Sequence, residues 1–282
     1  MGFVEKFEAA RPRLLSLAHR IVGSQHDAED AVQTAWLRVQ SADPAAVVNP
    51  DGLFTTVTAR ICFDHLRGRE RRAELPLLPS DIPGEQLAAD EEFLRRDEVS
   101  RALLVLLGEL SPKQRVAFVL HDLFAVPFDQ VAAVLDTTPA TAKKLASRAR
   151  IRLREADPAE PDRSAEHFEI IDAFLAAARG GDIARLVSLM APGVVRTADP
   201  ALLPQGGRTT VRGATEVAEE TRAFVDRITA AVPLLVGGHP GAVIAPGGHP
   251  FALIRFRIDR GLIAGIDIAP CVPGTLLPAA PG

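Results

Sequence analysis

The sequence has two cysteines in 282 residues, Cys62 and Cys271. They lie far apart and without the spacing of metal ligands, so a disulfide framework and a cysteine metal site are both excluded, and a reducing compartment is expected. Long hydrophobic runs are also missing. The longest uncharged stretch, Ala231 to Ile254, is interrupted by GGHPG and GGHP, which suits strands and turns better than a membrane helix. The N-terminus, MGFVEKFEAARPR, places charges where a secretory leader needs an apolar segment. A cytoplasmic protein with no membrane partner is therefore expected. Apolar residues still make up 47% of the chain, enough for folded cores, and the length has room for two or three domains.

A local absence says more. Between Thr137 and Arg154 the chain reads TTPATAKKLASRARIRLR, with six Lys or Arg and no acid, although the whole protein carries a net charge of −4. The imbalance is regional. Residues 1–75 hold ten bases and ten acids, residues 76–112 three and eight, residues 113–155 eight and four, and residues 156–282 eleven and fourteen. Acidity thus sits in a linker and in the C-terminal part, and leaves the basic stretch free to meet phosphate.

Three blocks follow from the patterning. In the first, to about Arg72, Val32, Ala35, Trp36 and Val39 fall at i, i+3, i+4 and i+7 on one helix face. Ser24 with Asp27 marks the start of that helix, where Asp27, Glu29 and Asp30 suit the positive end of the dipole. A second amphipathic helix carries Phe54, Val57, Thr58 and Ile61 and runs into RGRERR. Residues 74–96, opening ELPLLPSDIPGEQLAADEE, read as an acidic, proline-rich linker whose default is a solvated chain. The second block, 97–156, has three helical patterns, one begun by Ser111 as N-cap with Pro112 behind it. The third, 164–282, opens with helices over EHFEIIDAFLAAARGG and DIARLVSLMA, adds a helix over ATEVAEETRAFVDRI, and closes with alternating strands, PFALIRFRID and GLIAGIDI.

The apolar stripe Phe128, Val131, Ala132 and Leu135, a DTT turn, and a second stripe of Ala142, Leu145, Ala146, Ala149 and Leu153 form a helix-turn-helix pattern. The face opposite the second stripe offers Thr141, Lys143, Lys144, Ser147, Arg148 and Arg152 to phosphates or base edges. An ordinary solvated face mixes signs for i,i+4 pairing, and this one does not.

Two blocks in this order carry a resemblance. DAEDAVQTAWLRV followed by NPDGLFTTVTARICFDHLRGRERR resembles region 2 of the extracytoplasmic-function (ECF) class of bacterial sigma factors, and LGELSPKQRVAFVLHDLFAVPFDQVAAVLDTTPATAKKLASRARIRLR resembles their region 4. The resemblance implies that Asp27, Asp30, Gln33 and Arg38 meet the clamp helices of the RNA polymerase largest subunit, with Trp36 left to the core. It implies that Arg60, Arg67, Arg69, Arg71 and Arg72 hold the strand at the promoter's minus-ten element, with Phe54 and Phe63 as the few aromatics nearby. The helix from Pro139 would enter the major groove of the minus-thirty-five element. No cofactor and no metal are implied.

The third block is similar to SnoaL-like domains, an α+β cone that a subgroup of ECF factors carries as a fused regulator. Two motifs of that subgroup are replaced here, by Pro204-Gln205-Gly206-Gly207 and by Ala269-Pro270-Cys271-Val272-Pro273. The fold class expected is thus multidomain: two all-α sigma domains, a region 2 helical bundle at 1–73 and a region 4 helix-turn-helix at 97–156, plus a cone-shaped SnoaL-like domain. A small-molecule ligand in the cone is one implied partner beside polymerase and promoter DNA. Acid/base catalysis there would draw on Asp199, His239, His249 or Asp267, but each histidine sits in a Gly-Gly-His-Pro turn that favours exposure, and no enzyme is expected. The other reading, a ligand-responsive DNA-binding regulator that does not use polymerase, has no use for the region 2-like block.

Overall fold

The computed structural model describes residues 2–41, 47–72, 82–96, 100–155, 164–272 and 276. Three helices form the N-terminal bundle: α1 (Phe3–Val22), α2 (Gln25–Val39) and α3 (Pro50–Arg71). On α1 the buried Leu14, Leu17, Ala18 and Ile21 recur at i, i+3, i+4 and i+7, and α2 packs against it with Val32, Ala35 and Val39 buried. Trp36 meets Phe7 at 4.9 Å between ring centroids, and Phe7 meets Phe54 edge-on at 5.0 Å, an arrangement aromatic quadrupoles favour. Ser24 caps α2, its Oγ accepting from the Asp27 amide at 3.3 Å. Asn49 caps α3 in the same way through Gly52, at 3.0 Å, with Pro50 preset for the first helical position.

Residues 84–96 depart from the expected solvated linker: they form α4 (Gly84–Arg96). Asp90 and Leu94 are buried on one of its faces. The Asp90 carboxylate accepts from the Gln25 backbone amide at 2.7 Å, and Phe93 stacks on His19 at 4.2 Å. The first amides of a helix lack intrahelical partners, and a carboxylate both satisfies them and suits the dipole. An acid that looks like a solubilising charge therefore works as a cap on α2. The proline-rich part of the linker, residues 73–81, and residues 156–163, ADPAEPDR, lie outside the described residues.

Four helices follow: α5 (Arg101–Gly108), α6 (Pro112–Phe118), α7 (Phe128–Leu135) and α8 (Pro139–Glu155). Ser111 opens α6 with a reciprocal box, its Oγ accepting from the Gln114 amide while the Gln114 side chain accepts from the Ser111 amide. A π-turn over Val119–Leu123 ends that helix. Helix α3 packs on both α6 and α7, so the two helical blocks share one compact unit, residues 1–76 and 83–153.

The second unit comprises residues 77–82 and 154–282. It contains α9 (Ser164–Gly180), α10 (Ile183–Leu189), β1 (Met190–Ala198), β2 (Thr210–Arg212), α11 (Ala214–Thr221), α12 (Val225–Thr229), β3 (Ala231–Val236), β4 (His239–Ile244), β5 (Ala252–Asp259) and β6 (Leu262–Pro270). The sheet order is β2-β1-β6-β5-β4-β3, with β1 parallel to β6 and every other pair antiparallel. Alternation puts Ala198, Ile268 and Ile254 side by side on the face that meets α9 and α11, through the pairs Ala198↔Ile268 and Ile254↔Ile268. The helix expected over ATEVAEETRAFVDRI is broken: a 3₁₀ turn at Arg222–Phe224 separates α11 from α12, with Phe224 at φ −118, ψ 16. That break aims Phe224 and Arg227 at the same internal cavity.

Replacing the Asp90 cap tests the role given to α4. Asp90→Ala is expected to raise the hydrogen-exchange rate of the Gln25 amide about fivefold, the equivalent of ~1 kcal/mol for a lost cap. An unchanged rate would remove α4 from the packing of the bundle.

Candidate nucleic-acid interface

Helix α7 ends on Asp136 in the left-handed conformation, at φ 51 and ψ 56, with its amide bonded to the Ala132 carbonyl. Thr138 opens the next helix, its Oγ1 accepting from the Thr141 amide at 3.2 Å. On α8 the buried residues are Ala142, Ala146 and Ala149, spaced i, i+4 and i+7, whose short side chains let the helix sit close against its neighbours. The opposite face leaves Thr141, Lys143, Lys144 and Arg148 exposed, with Ser147 and Arg152 half-buried. Thr141 also shares a hydroxyl hydrogen bond with Thr138 at 2.9 Å. Arg150 turns inward, Nη1 donating to Asp122 Oδ1 at 2.9 Å. The cationic stretch is thereby divided: one arginine holds α8 to its own domain while Lys143, Lys144 and Arg148 project into solvent.

On α3 the five arginines assigned to the minus-ten element separate into two groups. Arg67, Arg71 and Arg72 are exposed at the end of the helix, and Arg69 is half-buried. Arg60 instead reaches α7. Its Nη1 donates to the Val134 carbonyl at 2.7 Å and the Ala133 carbonyl at 3.2 Å, and its Nη2 to Asp136 Oδ2 at 2.6 Å. These are free carbonyls of a helix C-terminus, the end of the dipole that attracts a cation. The hydrogen bond holds the Arg60 pKa above its ordinary value and the Asp136 pKa below the usual carboxylate range. Phe54 and Phe63 are buried, so neither offers a face for stacking; Phe63 lies under the Arg67 guanidinium at 5.6 Å.

Other arginines cross between the same two blocks. Arg115 on α6 donates to the Ile21 carbonyl at 3.0 Å and to the Gly108 carbonyl at 2.8 Å; burial, then the nearby charge of Arg69, pulls its pKa down to about 10. Arg13 and Arg20 of α1 lie 5.7 and 5.6 Å from the ring centre of Phe124.

On α2, Asp30 and Gln33 are exposed at i and i+3, and Leu37 at i+7 continues their row. Arg38 is exposed beside it. Asp27 is set apart from them: half-buried, with Oδ2 3.7 Å from His65 Nε2. Leu37 is 56% exposed, an apolar side chain on an otherwise polar face, and sequence reasoning passed over it because the buried stripe beside it already accounted for the helix's apolar period.

Residues 7–72 match the family model described as Sigma-70 region 2, and residues 100–153 match that for Sigma-70, region 4. The chain is 39% identical over 271 residues to the ECF RNA polymerase sigma factor SigJ of Mycobacterium tuberculosis H37Rv, spanning 90% of this chain and 86% of that protein. The chain belongs to the ECF sigma factors. It is also 33% identical over 204 residues to the probable ECF RNA polymerase sigma factor SigI of M. tuberculosis, 68% of either chain. The crystal structure of M. tuberculosis SigJ aligns over 95% of this chain and 96% of that one, at 35% identity and a TM-score of 0.48.

As a sigma factor the protein binds core RNA polymerase and promoter DNA and directs transcription initiation, with its two sigma regions followed by an α+β domain. No helix of its described residues is long and apolar enough to cross a membrane. In the C-terminal domain the four side chains considered for acid/base chemistry do not converge. Asp199 caps the short turn at Pro200–Leu202, accepting from the Ala201 amide at 2.9 Å. Asp267 is exposed and accepts from Thr197 Oγ1 on the neighbouring strand. His239 is exposed at the start of β4, and His249 follows the turn at Pro246–Gly248. None of the four lines the interior cavity.

Two substitutions separate the roles of α8 and α2. Lys144→Ala or Arg148→Ala is expected to weaken promoter binding by about 1–3 kcal/mol if the side chain reads a base; a phosphate contact would instead weaken all sequences alike and lower the salt slope by about one. Leu37→Asp is expected to weaken binding to core polymerase without changing promoter-fragment affinity, as read by titration of labelled protein with core enzyme. Unaltered core binding would place the docking face elsewhere.

Proposed function

We propose that the helical unit is the resting form of this sigma factor, in which an arginine clasp between regions 2 and 4 keeps both promoter readers folded together. The observation that carries this is Arg60, held by two carbonyls and the carboxylate at the end of α7. Asp136 lies three residues before Pro139, the first residue of α8, so the minus-ten and minus-thirty-five readers stand one helix packing, about 10 Å, apart. The two promoter elements are separated by some twenty base pairs, which at 3.4 Å each is about 70 Å. Reading both at once requires the clasp to open.

In the open form Asp27, Asp30, Gln33 and Arg38 dock on the clamp helices of the largest polymerase subunit. Arg67, Arg69, Arg71 and Arg72 hold the minus-ten strand, joined by Arg60 once it is released. Thr141, Lys143, Lys144, Ser147, Arg148 and Arg152 serve the minus-thirty-five element. The domain boundaries follow the same division, at 1–73, 74–96, 97–156 and 164–282, with α4 as an ordered piece of the linker. The SnoaL-like domain tunes the sigma factor's activity without chemistry of its own, as the scattering of its acids and histidines supports, and takes a small-molecule ligand.

The test leaves the DNA-contacting arginines in place. Asp136→Asn keeps a residue that tolerates the left-handed conformation and removes the charge that Arg60 grips. With spin labels on α3 and α8, the variant is expected to show a longer, broader distance distribution than the parent and more promoter-dependent transcript at limiting core polymerase. An unchanged distribution would contradict the clasp. Because the Asp136 pKa is depressed, its contribution is complete above the ordinary carboxylate range and is lost only as pH falls through the lowered value. Closure should therefore be constant between about pH 5 and 8 and weaken with added salt, since the pair is solvent-accessible.

A further inference from the structure

The interior of the SnoaL-like domain holds a cavity of about 80 Å³ between the sheet, α9 and α11. Ala198, Ile268, Ile254 and Ile266 supply its sheet side and Leu175 and Val217 its helical side. On its lining the partly exposed Arg227 sits 5.7 Å from the centre of the Phe224 ring and 5.4 Å from that of Phe251, while Nη1 donates to the Leu202 carbonyl at 2.6 Å. That guanidinium ties α12 to the turn at Pro200–Leu202.

Four polar side chains border the cavity, and each is engaged by the protein itself. Arg196 is the deepest. Its Nε donates to Glu220 Oε2 at 3.0 Å, its Nη2 donates to the same oxygen, and its Nη1 donates to the carbonyls of Arg208 and Thr209 at 3.0 and 3.3 Å. Thr221 Oγ1 donates to the Val217 carbonyl at 2.7 Å, and Arg227 is held as described. Among the described residues no buried side-chain atom lacking a hydrogen bond lies in this domain. Water in such a space needs two to four polar partners, which this lining does not present; an apolar cavity of about 150 Å³ stays dry and binds benzene, so the smaller one here suits a molecule no larger than a single ring. An anion at the buried end of the lining would need the Arg196 guanidinium, and Glu220 has neutralised it; Arg227, the other guanidinium on the lining, is turned to the Leu202 carbonyl and the Phe224 and Phe251 rings.

We propose that this cavity binds a small, uncharged, apolar molecule of roughly the bulk of one carbon ring, and that Glu220 determines this preference by neutralising Arg196. The binding step stands apart from the sigma-factor assignment; only its regulatory consequence rests on that reading.

The cavity carries its own reporters. Ile244, Ile254, Ile266 and Ile268 line it, whereas Ile21 is buried in the helical unit. Methyl NMR of the full chain titrated with benzene and, separately, with benzoate is the test. Benzene is expected to shift the cavity isoleucine methyls saturably and leave Ile21 unmoved, while benzoate does neither. Ala252→Leu, which fills the lining, should abolish the benzene shifts. Glu220→Gln, which uncovers Arg196, should gain saturable benzoate shifts; should either variant fail to give a folded spectrum, the double variant Arg196→Met, Glu220→Gln is expected to keep benzene binding and still exclude benzoate. Absence of a saturable benzene effect, benzoate binding equal to benzene in the parent, or benzene shifts that survive Ala252→Leu would overturn the proposal.

Discussion

A helix C-terminus ends in carbonyls that its own backbone cannot satisfy, and in this protein the one belonging to α7 is satisfied by Arg60 from α3. The relation between the two sigma regions depends on that contact. It places α3 of region 2 against the turn that precedes α8 of region 4, through charge-assisted hydrogen bonds. The same choice recurs at Arg115 on the Ile21 carbonyl and at Arg13 and Arg20 beside Phe124. The Arg60 contact is specific in geometry and modest in net energy, because its solvent-accessible cation is also well received by water or phosphate.

Arginine serves two opposite purposes in the two units. Arg60 has a side chain 34% exposed, and its carboxylate partner Asp136 is 70% exposed. Solvent screening keeps such a pair weak, and exchange for another partner costs little. Arg196 and Glu220 are 6% and 15% exposed. Removing one member of that pair would strand a buried charge, so it persists as a fixed part of the cone wall. The chemistry is the same in both places, and burial sets how readily each contact can be exchanged.

Much of this was legible in the sequence, for reasons that differ by element. The stripe Val32, Ala35, Trp36 and Val39 and the caps at Ser24 and Ser111 were readable because period and capping are local properties, and the strands around Ile254 and Ile266 because alternation is. The exposed cations of α8 followed from the absence of acids between Thr137 and Arg154. What escaped were pairings between distant segments. Asp90 read as a linker charge because nothing in its own neighbourhood shows that it meets Gln25, sixty-five residues away. Arg60 read as one of five equivalent arginines because helical spacing does not say which of them faces another domain. The break at Phe224 was hidden as well, since ATEVAEETRAFVDRI keeps helix-forming residues throughout and propensity is readily overridden by tertiary context.

The regional division of charge now has a physical meaning. The acids that offset the basic helix are not spread over it as i,i+4 partners, which would hold Lys143, Lys144 and Arg148 in standing ion pairs. They are used instead at helix ends: Asp90 at the start of α2, and Asp136 at the end of α7. A carboxylate held at a helix end is spent on another helix's amide or on one chosen arginine, and leaves Lys143, Lys144 and Arg148 uncompensated. The protein can therefore be acidic overall and still present concentrated positive charge where DNA has to be met, because the sign of a surface is set by where its acids are tied down and not by how many there are.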